Sequence, residues 1–147
     1  MKTFILILLF GTLSGCADLI PFSSGELQGN LTPHPEDWRA LSAVDVIQLE
    51  TNPTAPYSVK LWIVGYDEKL YVHAGTNLTQ WIENMQSNPN VRLLIDDQLF
   101  ELTSSRVISQ SDFDEFADNY AVKYGNRPRN ENVNEAYLYR LGERPTN

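Results

Sequence analysis

Apolar and polar residues alternate along much of the chain from residue 44 onward, with the period of half-buried β-strands. The alternation predicts six strands, at 44–50, 58–66, 70–74, 91–95, 98–108 and 136–141. Segment 58–66 is apolar on both faces, so we expect it either inside a packed barrel or at a subunit interface. A two-residue loop at 96–97 would set Arg92 opposite Glu101 on neighbouring strands, as an exposed ion pair.

Two further segments carry apolar residues at helical spacing. The first follows Gly75-Thr76-Asn77, and Asn77 with Gln80 has the spacing of a capping box. The second covers 111–124, with Ser111 as the predicted N-cap and Gly125 as the predicted end. The order is then strand, hairpin, helix, hairpin, helix, strand. This order predicts a mainly β (α+β) fold, a six-stranded antiparallel barrel with two inserted helices, because a parallel sheet would need a crossover after each strand.

The first residues are typical of an export signal. Lys2 precedes a short apolar run, 4–10, which is not long enough to cross a bilayer as a helix. Leu13-Ser14-Gly15-Cys16 follows and resembles the lipobox of bacterial lipoproteins. That resemblance implies removal of 1–15 as a lipoprotein signal peptide and lipidation (acylation) of Cys16. It places the protein in the bacterial cell envelope, at the outer membrane if the organism is Gram-negative, since Ala17 follows the cysteine. The alternative is a plain cleaved signal peptide with an incidental cysteine.

The mature chain divides into a tether and one domain. Residues 16–43 contain several prolines, glycines and serines, which predicts a lipidated tether and an irregular lead-in, with Trp38 as the first fixed contact. Residues 44–147 are expected to form the barrel domain, and the length of 147 residues suits a single domain.

Charge and cysteine content exclude several classes of function. Nineteen acidic residues against 11 basic ones argue against a nucleic-acid partner. Loss of Lys2 with the signal leaves a net charge of −9, so we expect lipid chains, and not a basic patch, to hold the protein at the membrane. One cysteine and two histidines, without metal-ligand spacing, predict no metal site.

One local constellation could bind a ligand. The strand 70–74 enters the bend at Gly75, where free N–H groups and a helix N-terminus would attract an anion. The alternative is that Gly75 only makes the turn and Asn77 only caps the helix. Trp62 and Trp81 could stack on a ring system or lie in the core, and His73 could contact a ligand or pack as an ordinary strand histidine.

A longer pattern supports the ligand hypothesis. Residues 71–75, Trp81, 83–84, 88–92 and the strand that begins at Phe100 together resemble the flavin-binding split-barrel superfamily, the pyridoxamine 5′-phosphate oxidase-like proteins. The similarity covers about 44–141 and is greatest to the branch of deazaflavin-dependent nitroreductases. It implies a homodimer, with FMN or a deazaflavin in a groove between subunits and two-electron transfer to a substrate. The cofactor positions that it implies are Lys60, Trp62, His73, Ala74, Gly75, Thr76, Asn77 and Trp81.

Three functions remain open at this point. The first is an envelope-anchored flavin- or deazaflavin-dependent reductase, in which the cofactor carries the hydride and the protein orients it. The second is a non-enzymatic split-barrel lipoprotein that has lost the cofactor and binds a small planar ligand or an envelope partner. The third is haem binding through His73, since the superfamily includes haem-utilisation proteins.

Overall fold

The computed structural model describes residues 25–145, so the predicted signal peptide, residues 1–15, and Cys16 lie outside the described residues. Residues 25–145 form seven strands, two α-helices and a short 3-10 helix at Leu41–Ala43. The strands are β1 (Asn30–Leu31), β2 (Val46–Thr51), β3 (Tyr57–Tyr66), β4 (Lys69–His73), β5 (Asn90–Ile95), β6 (Gln98–Arg106) and β7 (Leu138–Glu143). The helices are α1 (Gln80–Ser87) and α2 (Gln110–Tyr124).

Six of these strands close into an antiparallel barrel. The neighbours run β2-β3-β4-β7-β6-β5, and β5 pairs with β2 to complete the circle. The predicted six-stranded barrel is therefore confirmed, with strand ends displaced by up to two residues. The short β1 is an addition that the sequence pattern did not predict, and it pairs in parallel with the start of β6.

Two tight turns set the register of the hairpins. Asp67 and Asp96 each adopt a positive φ, 51° and 54°, in the two-residue turns β3–β4 and β5–β6. The predicted turn at 96–97 is confirmed, and Arg92 faces Glu101 in the register. The side chain of Arg92, however, does not pair with Glu101. It is bonded to Glu50 on the other neighbouring strand, and Glu101 pairs with Arg144 instead.

Buried side chains from outside the barrel strands close both openings of the barrel. At one end Trp38, which is fully buried, lies against Gly65. At the other end α1 contributes the buried residues Trp81, Ile82 and Met85, and its Asn84 amide donates to Thr51 Oγ1 (3.0 Å). One hydrophobic cluster therefore runs from the lead-in through the barrel to α1.

The second helix explains why β3 is apolar on both faces. Ile63 points into the barrel, whereas Val64 and Tyr66 point outward into a second cluster with Phe113, Phe116 and other α2 residues. This part of β3 is thus covered by the chain's own helix. Trp62, on the same outer face, stacks on Tyr124 at the end of α2 and is nevertheless 56% exposed.

Both predicted helix starts are wrong by one to a few residues. The first helix begins at Gln80 with Thr79 as N-cap, and Asn77 instead donates its N–H to the carbonyl of Ala74 (3.3 Å) in a turn. The capping box is therefore absent, because the chain needs a turn before it can enter the helix. The second helix is capped by Ser109, not Ser111, whereas its end at Gly125 (φ 83°) is confirmed.

The lead-in is fixed to the barrel in a segment that we call the strap, residues 25–32. Along the strap, the Gly25 carbonyl accepts from Ser58, the Leu27 N–H donates to Glu50, and the Thr32 N–H donates to the Leu99 carbonyl. These three partners lie on β3, β2 and β6, so the strap crosses the outer face of the sheet.

Candidate functional site

Two adjoining cavities, here called the groove, open beside the C-terminal end of α2. They have volumes of about 160 Å³ and about 610 Å³ and share Trp62, His73 and Tyr120 in their walls. The smaller cavity is also lined by Lys60, Leu61, Val64, Tyr71 and Phe116. The larger one is also lined by Gly75, Thr76, Asn77, Tyr124, Asn126, Arg127, Pro128, Arg129 and Asn130.

One wall of the groove is aromatic. The rings of Trp62 and Tyr124 stack with centroids 4.8 Å apart and planes 17° apart, and Tyr120 lies 4.8 Å from Tyr124. Tyrosines 120 and 124 are one helical turn apart on α2, which places both rings over the outer face of β3. Because Trp62 is 56% exposed despite this stacking, much of its indole is free to contact a planar ligand.

His73 stands between the two cavities and is neutral near pH 7. Burial lowers its pKa to about 4, and its ring packs against Phe113, Phe116 and Tyr120. Its Nε2 atom is buried and has no hydrogen-bond partner. A haem iron would need that nitrogen exposed to the groove, so this geometry gives the haem hypothesis no support.

The low pKa of His73 predicts a loss of stability in acid. Below pH 6.5 the unfolded chain binds a proton at His73 and the folded chain does not, so stability falls as the pH drops towards about 4 and then levels off. The loss should approach about 3 kcal/mol. Comparing urea unfolding of the wild type and His73→Phe between pH 7.5 and pH 4 isolates this contribution, and parallel pH dependences in the two proteins would contradict it.

The bend at Gly75 is open to the groove. Gly75 has a φ of +61°, which favours glycine, and a Cβ built there would meet no atom within 4 Å. The bend is held by Tyr137, whose N–H donates to the Gly75 carbonyl (2.6 Å). The N-terminus of α1 lies five residues further along, so the predicted contribution of a helix dipole at this bend is absent.

Positive charge reaches the groove from the loop after α2. Arg127 and Arg129 both line the larger cavity. Arg127 is paired with Asp118 and Glu131, which offset its charge. Among residues 25–145 no carboxylate pairs with Arg129 or with Lys60 at the opposite end of the groove. The groove therefore offers an unpaired cation at each end.

Most of the residues predicted for the site meet in this groove. They are Lys60, Trp62, His73, Gly75, Thr76 and Asn77. Ala74 donates its N–H to the Tyr137 carbonyl, and its side chain packs against the barrel core. Trp81 is only 5% exposed and belongs to that core, so it does not line the groove.

The side of the groove formed by α2 and the loop that follows was not predicted from the sequence. Tyr120 and Tyr124 have the spacing of a buried helical stripe, and the polar loop 126–130 has the composition of a simple connection. The useful signal was Gly125, because a left-handed residue at the helix end turns the next residues back across the molecule.

Two features are absent from the part of the chain that the structure describes. In the range 25–145 no three His, Cys, Asp or Glu side chains are grouped so as to hold a metal ion. None of the helices in this range is both long enough and apolar enough to cross a membrane.

Solved structures share this architecture. A Bacteroides thetaiotaomicron protein provisionally named as a 5-nitroimidazole antibiotic resistance protein superposes with a TM-score of 0.55 and 15% identity, over 69% of this chain and 74% of its own. A Listeria innocua protein provisionally named as a pyridoxamine 5′-phosphate oxidase superposes with a TM-score of 0.54 and 17% identity, over 69% of this chain and 85% of its own. A Mesorhizobium loti protein described as FAD-binding superposes with a TM-score of 0.52 and 18% identity, over 71% of this chain and 83% of its own.

The barrel, its two helices and these superpositions define the class of fold: the chain is a split barrel of the pyridoxamine 5′-phosphate oxidase-like type. The expected fold is therefore confirmed. No family model and no curated protein matches the chain, so the similarity extends to the fold alone.

Proposed function

We propose that the groove binds a flavin, FMN or a deazaflavin, and that the protein is a reductase that uses it. The observation that carries this proposal is the combination of an open aromatic wall with unpaired cations. Trp62 and Tyr120 offer apolar faces to a ring system, and Arg129 offers a guanidinium to an anionic tail. The description of one structural neighbour as an FAD-binding protein supports the same class of ligand.

The residues present fit such a cofactor. The larger cavity, about 610 Å³, is within the range of about 300–1,000 Å³ that is usual for small-molecule sites. Gly75 leaves its side of the cavity clear, since no neighbouring side chain fills the space of a Cβ.

The chain's own residues would bind and orient, while the flavin would supply the hydride chemistry. The imidazole of His73 is uncharged at neutral pH, because burial lowers its pKa to about 4, so it is not an imidazolium acid at the reacting centre. Tyr124 is likewise not a proton donor of suitable strength, since burial raises its pKa to about 12. We therefore assign Trp62 and Tyr120 to the ring and Arg129, with Arg127, to the anion.

FMN and riboflavin differ only by a phosphate, so their affinities test the assignment of Arg129 to the anion. We expect the wild type to bind FMN about tenfold more tightly than riboflavin, because a charge-assisted hydrogen bond contributes about 1.5–3 kcal/mol. Arg129→Gln should remove most of that preference by weakening FMN alone. Flavin fluorescence titration measures both affinities.

Arg39→Gln provides the matched control, because it makes the same change in net charge at an exposed residue outside the groove. Equal losses of FMN affinity in the two variants would mean that the effect comes from the overall charge and not from Arg129. Failure of the wild type to bind either flavin would leave the non-enzymatic split barrel as the better description.

A second copy of the chain is the partner that we propose for the outer face of β2 and β3. Val46 and Trp62 are cross-strand neighbours there and are 48% and 56% exposed. Because Trp62 also lines the groove, a second copy on this face would close the groove's open side. Trp62→Ser should shift the sedimentation coefficient from dimer to monomer, whereas Val122→Ser, at an 87% exposed position on α2, should not. A wild type that sediments as a monomer would exclude this partner.

The envelope location also belongs to the proposal. It depends on lipid attached to Cys16, outside the described residues, and on a net charge that makes an electrostatic attachment to anionic lipid unfavourable. An anchored reductase would act on substrates or electron donors present on the same side of the membrane.

A further inference from the structure

Lys123, near the end of α2, is surrounded by backbone carbonyl groups. Its ammonium donates to the carbonyls of Ser42 (2.7 Å), Val44 (2.6 Å) and Ile63 (2.7 Å). An ammonium has three N–H donors, so all of them are used. Lys123 therefore has no donor left for a phosphate, although it lies one residue from the groove-lining Tyr124.

Tyr124 reaches the same stretch of backbone. Its hydroxyl accepts from the Ile63 N–H (3.2 Å) and lies 2.9 Å from the Ile63 carbonyl oxygen and 3.1 Å from that of Asp45, one of which receives its proton. The same residue presents its ring to Trp62 at 4.8 Å. Tyr124 thus connects the β3 backbone to the aromatic wall.

The backbone needs these partners because β2 and β3 separate here. Their pairing ends at Val46 and Trp62, so the N–H and C=O of Ile63 have no partner on β2. Buried backbone groups without partners are costly, and a helix that ends beside them can satisfy them with side chains. Lys123 and Tyr124 do so from adjacent positions.

We infer that Lys123 and Tyr124 are positioning residues for the groove: by filling the gap between β2 and β3 they fix the indole of Trp62. The inference rests on the proposed flavin site, because it concerns the Trp62 indole on which the flavin ring would stack. Neither residue is assigned a contact with the anionic end. Substitutions of Lys123 or Tyr124 should therefore affect FMN and riboflavin equally, whereas substitution of Arg129 should affect FMN alone.

The experiment compares affinities for FMN and riboflavin. Lys123→Met keeps the length of the side chain but removes all three donors, and we expect it to weaken binding of both flavins by the same factor, about tenfold. Arg129→Gln is expected to weaken FMN only. Tyr124→Phe keeps the ring and loses the hydroxyl, and we expect it to weaken binding of both flavins equally but by less than Lys123→Met. It replaces Lys123→Met in the comparison if that variant does not fold.

A merely structural role is separated by a control in the barrel core. Val91→Ala lowers stability at a buried residue outside the groove and should leave both affinities within twofold. If Lys123→Met and Tyr124→Phe also leave both affinities unchanged, or if they affect FMN alone, the positioning role is overturned.

A second measurement needs no flavin. Trp38 and Trp81 are 0% and 5% exposed, so acrylamide quenching reports chiefly on Trp62 when wild type and variant have the same oligomeric state by sedimentation. Loss of the ordered Tyr124 ring in Lys123→Met should raise the quenching constant, because that ring covers one face of the Trp62 indole. An unchanged constant would overturn the inference even if the wild type binds flavin. If the quenching constant rises in Lys123→Met but the wild type binds no flavin, only the proposed function is refuted.

Discussion

Replacing Glu50 with glutamine is expected to destabilise the fold by about 3 kcal/mol, because the change removes the buried partner of Arg92 and leaves only the exposed carboxylate of Glu26, at 3.2 Å, to offset its charge. Glu50 is 4% exposed and accepts from Arg92 at two atoms, Nε (2.8 Å) and Nη2 (2.6 Å). It also accepts from the Leu27 N–H (2.6 Å), so the same change loosens the strap. Urea unfolding at pH 7 measures the loss.

Glu101→Gln is the matched control for this prediction. Glu101 stands opposite Arg92 on its other neighbouring strand, but its side chain is 48% exposed and pairs with Arg144 at 3.4 Å. Exposed pairs of this kind contribute about 0–1 kcal/mol, so the control should unfold near the wild type. Similar losses in both variants would mean that burial under the strap does not decide the strength of the Arg92 pairing.

Replacing Trp38 with alanine should cost about 3–5 kcal/mol, as is usual for loss of a large aromatic side chain from a core. Trp38 is fully buried and meets Phe100 edge to face at 5.1 Å. Its fit depends on Gly65, where a Cβ would approach the Trp38 Cβ to 2.9 Å and the Ser42 Cβ to 2.7 Å. Neighbours held this closely cannot collapse into the vacated space, so a cavity should remain.

Trp38→Phe tests whether ring volume or hydrogen bonding matters at this site. The indole Nε1 has no hydrogen-bond partner, so phenylalanine loses contact area alone, and we expect a cost of about 1–2 kcal/mol. Thermal unfolding of both variants gives the comparison. A loss with phenylalanine as large as the loss with alanine would contradict the packing argument.

The barrel could be predicted from sequence because its strands carry local information. The two-residue turn at 96–97 sets its own register, and the period-two pattern of β3 survives because each face meets a different apolar cluster. Arg92 shows the limit of such local information. Its register neighbour on β6 was predicted, but its bonds to Glu50 on β2, 42 residues away, and to Glu26 in the strap, 66 residues away, come from long-range contacts.

The candidate site was predicted in part for a similar reason. Residues 73–77 follow one strand directly, so their proximity to each other is a matter of sequence. Arg129 reaches the same groove only because α2 docks on β3 and ends at Gly125, which no periodicity reports. The start of α1 was misplaced because a polar residue at capping spacing does not reveal whether the chain still has to turn.

The position of the strap has a practical consequence for any polypeptide fused to the front of this domain. Gly25 is held at Ser58, two residues before Lys60 on the same outer face of β3. An affinity tag joined ahead of residue 25 would therefore emerge beside the mouth of the groove, where its histidines would compete with added ligands. A tag placed after β7 avoids this interference, because Glu143 at the end of β7 does not line the groove.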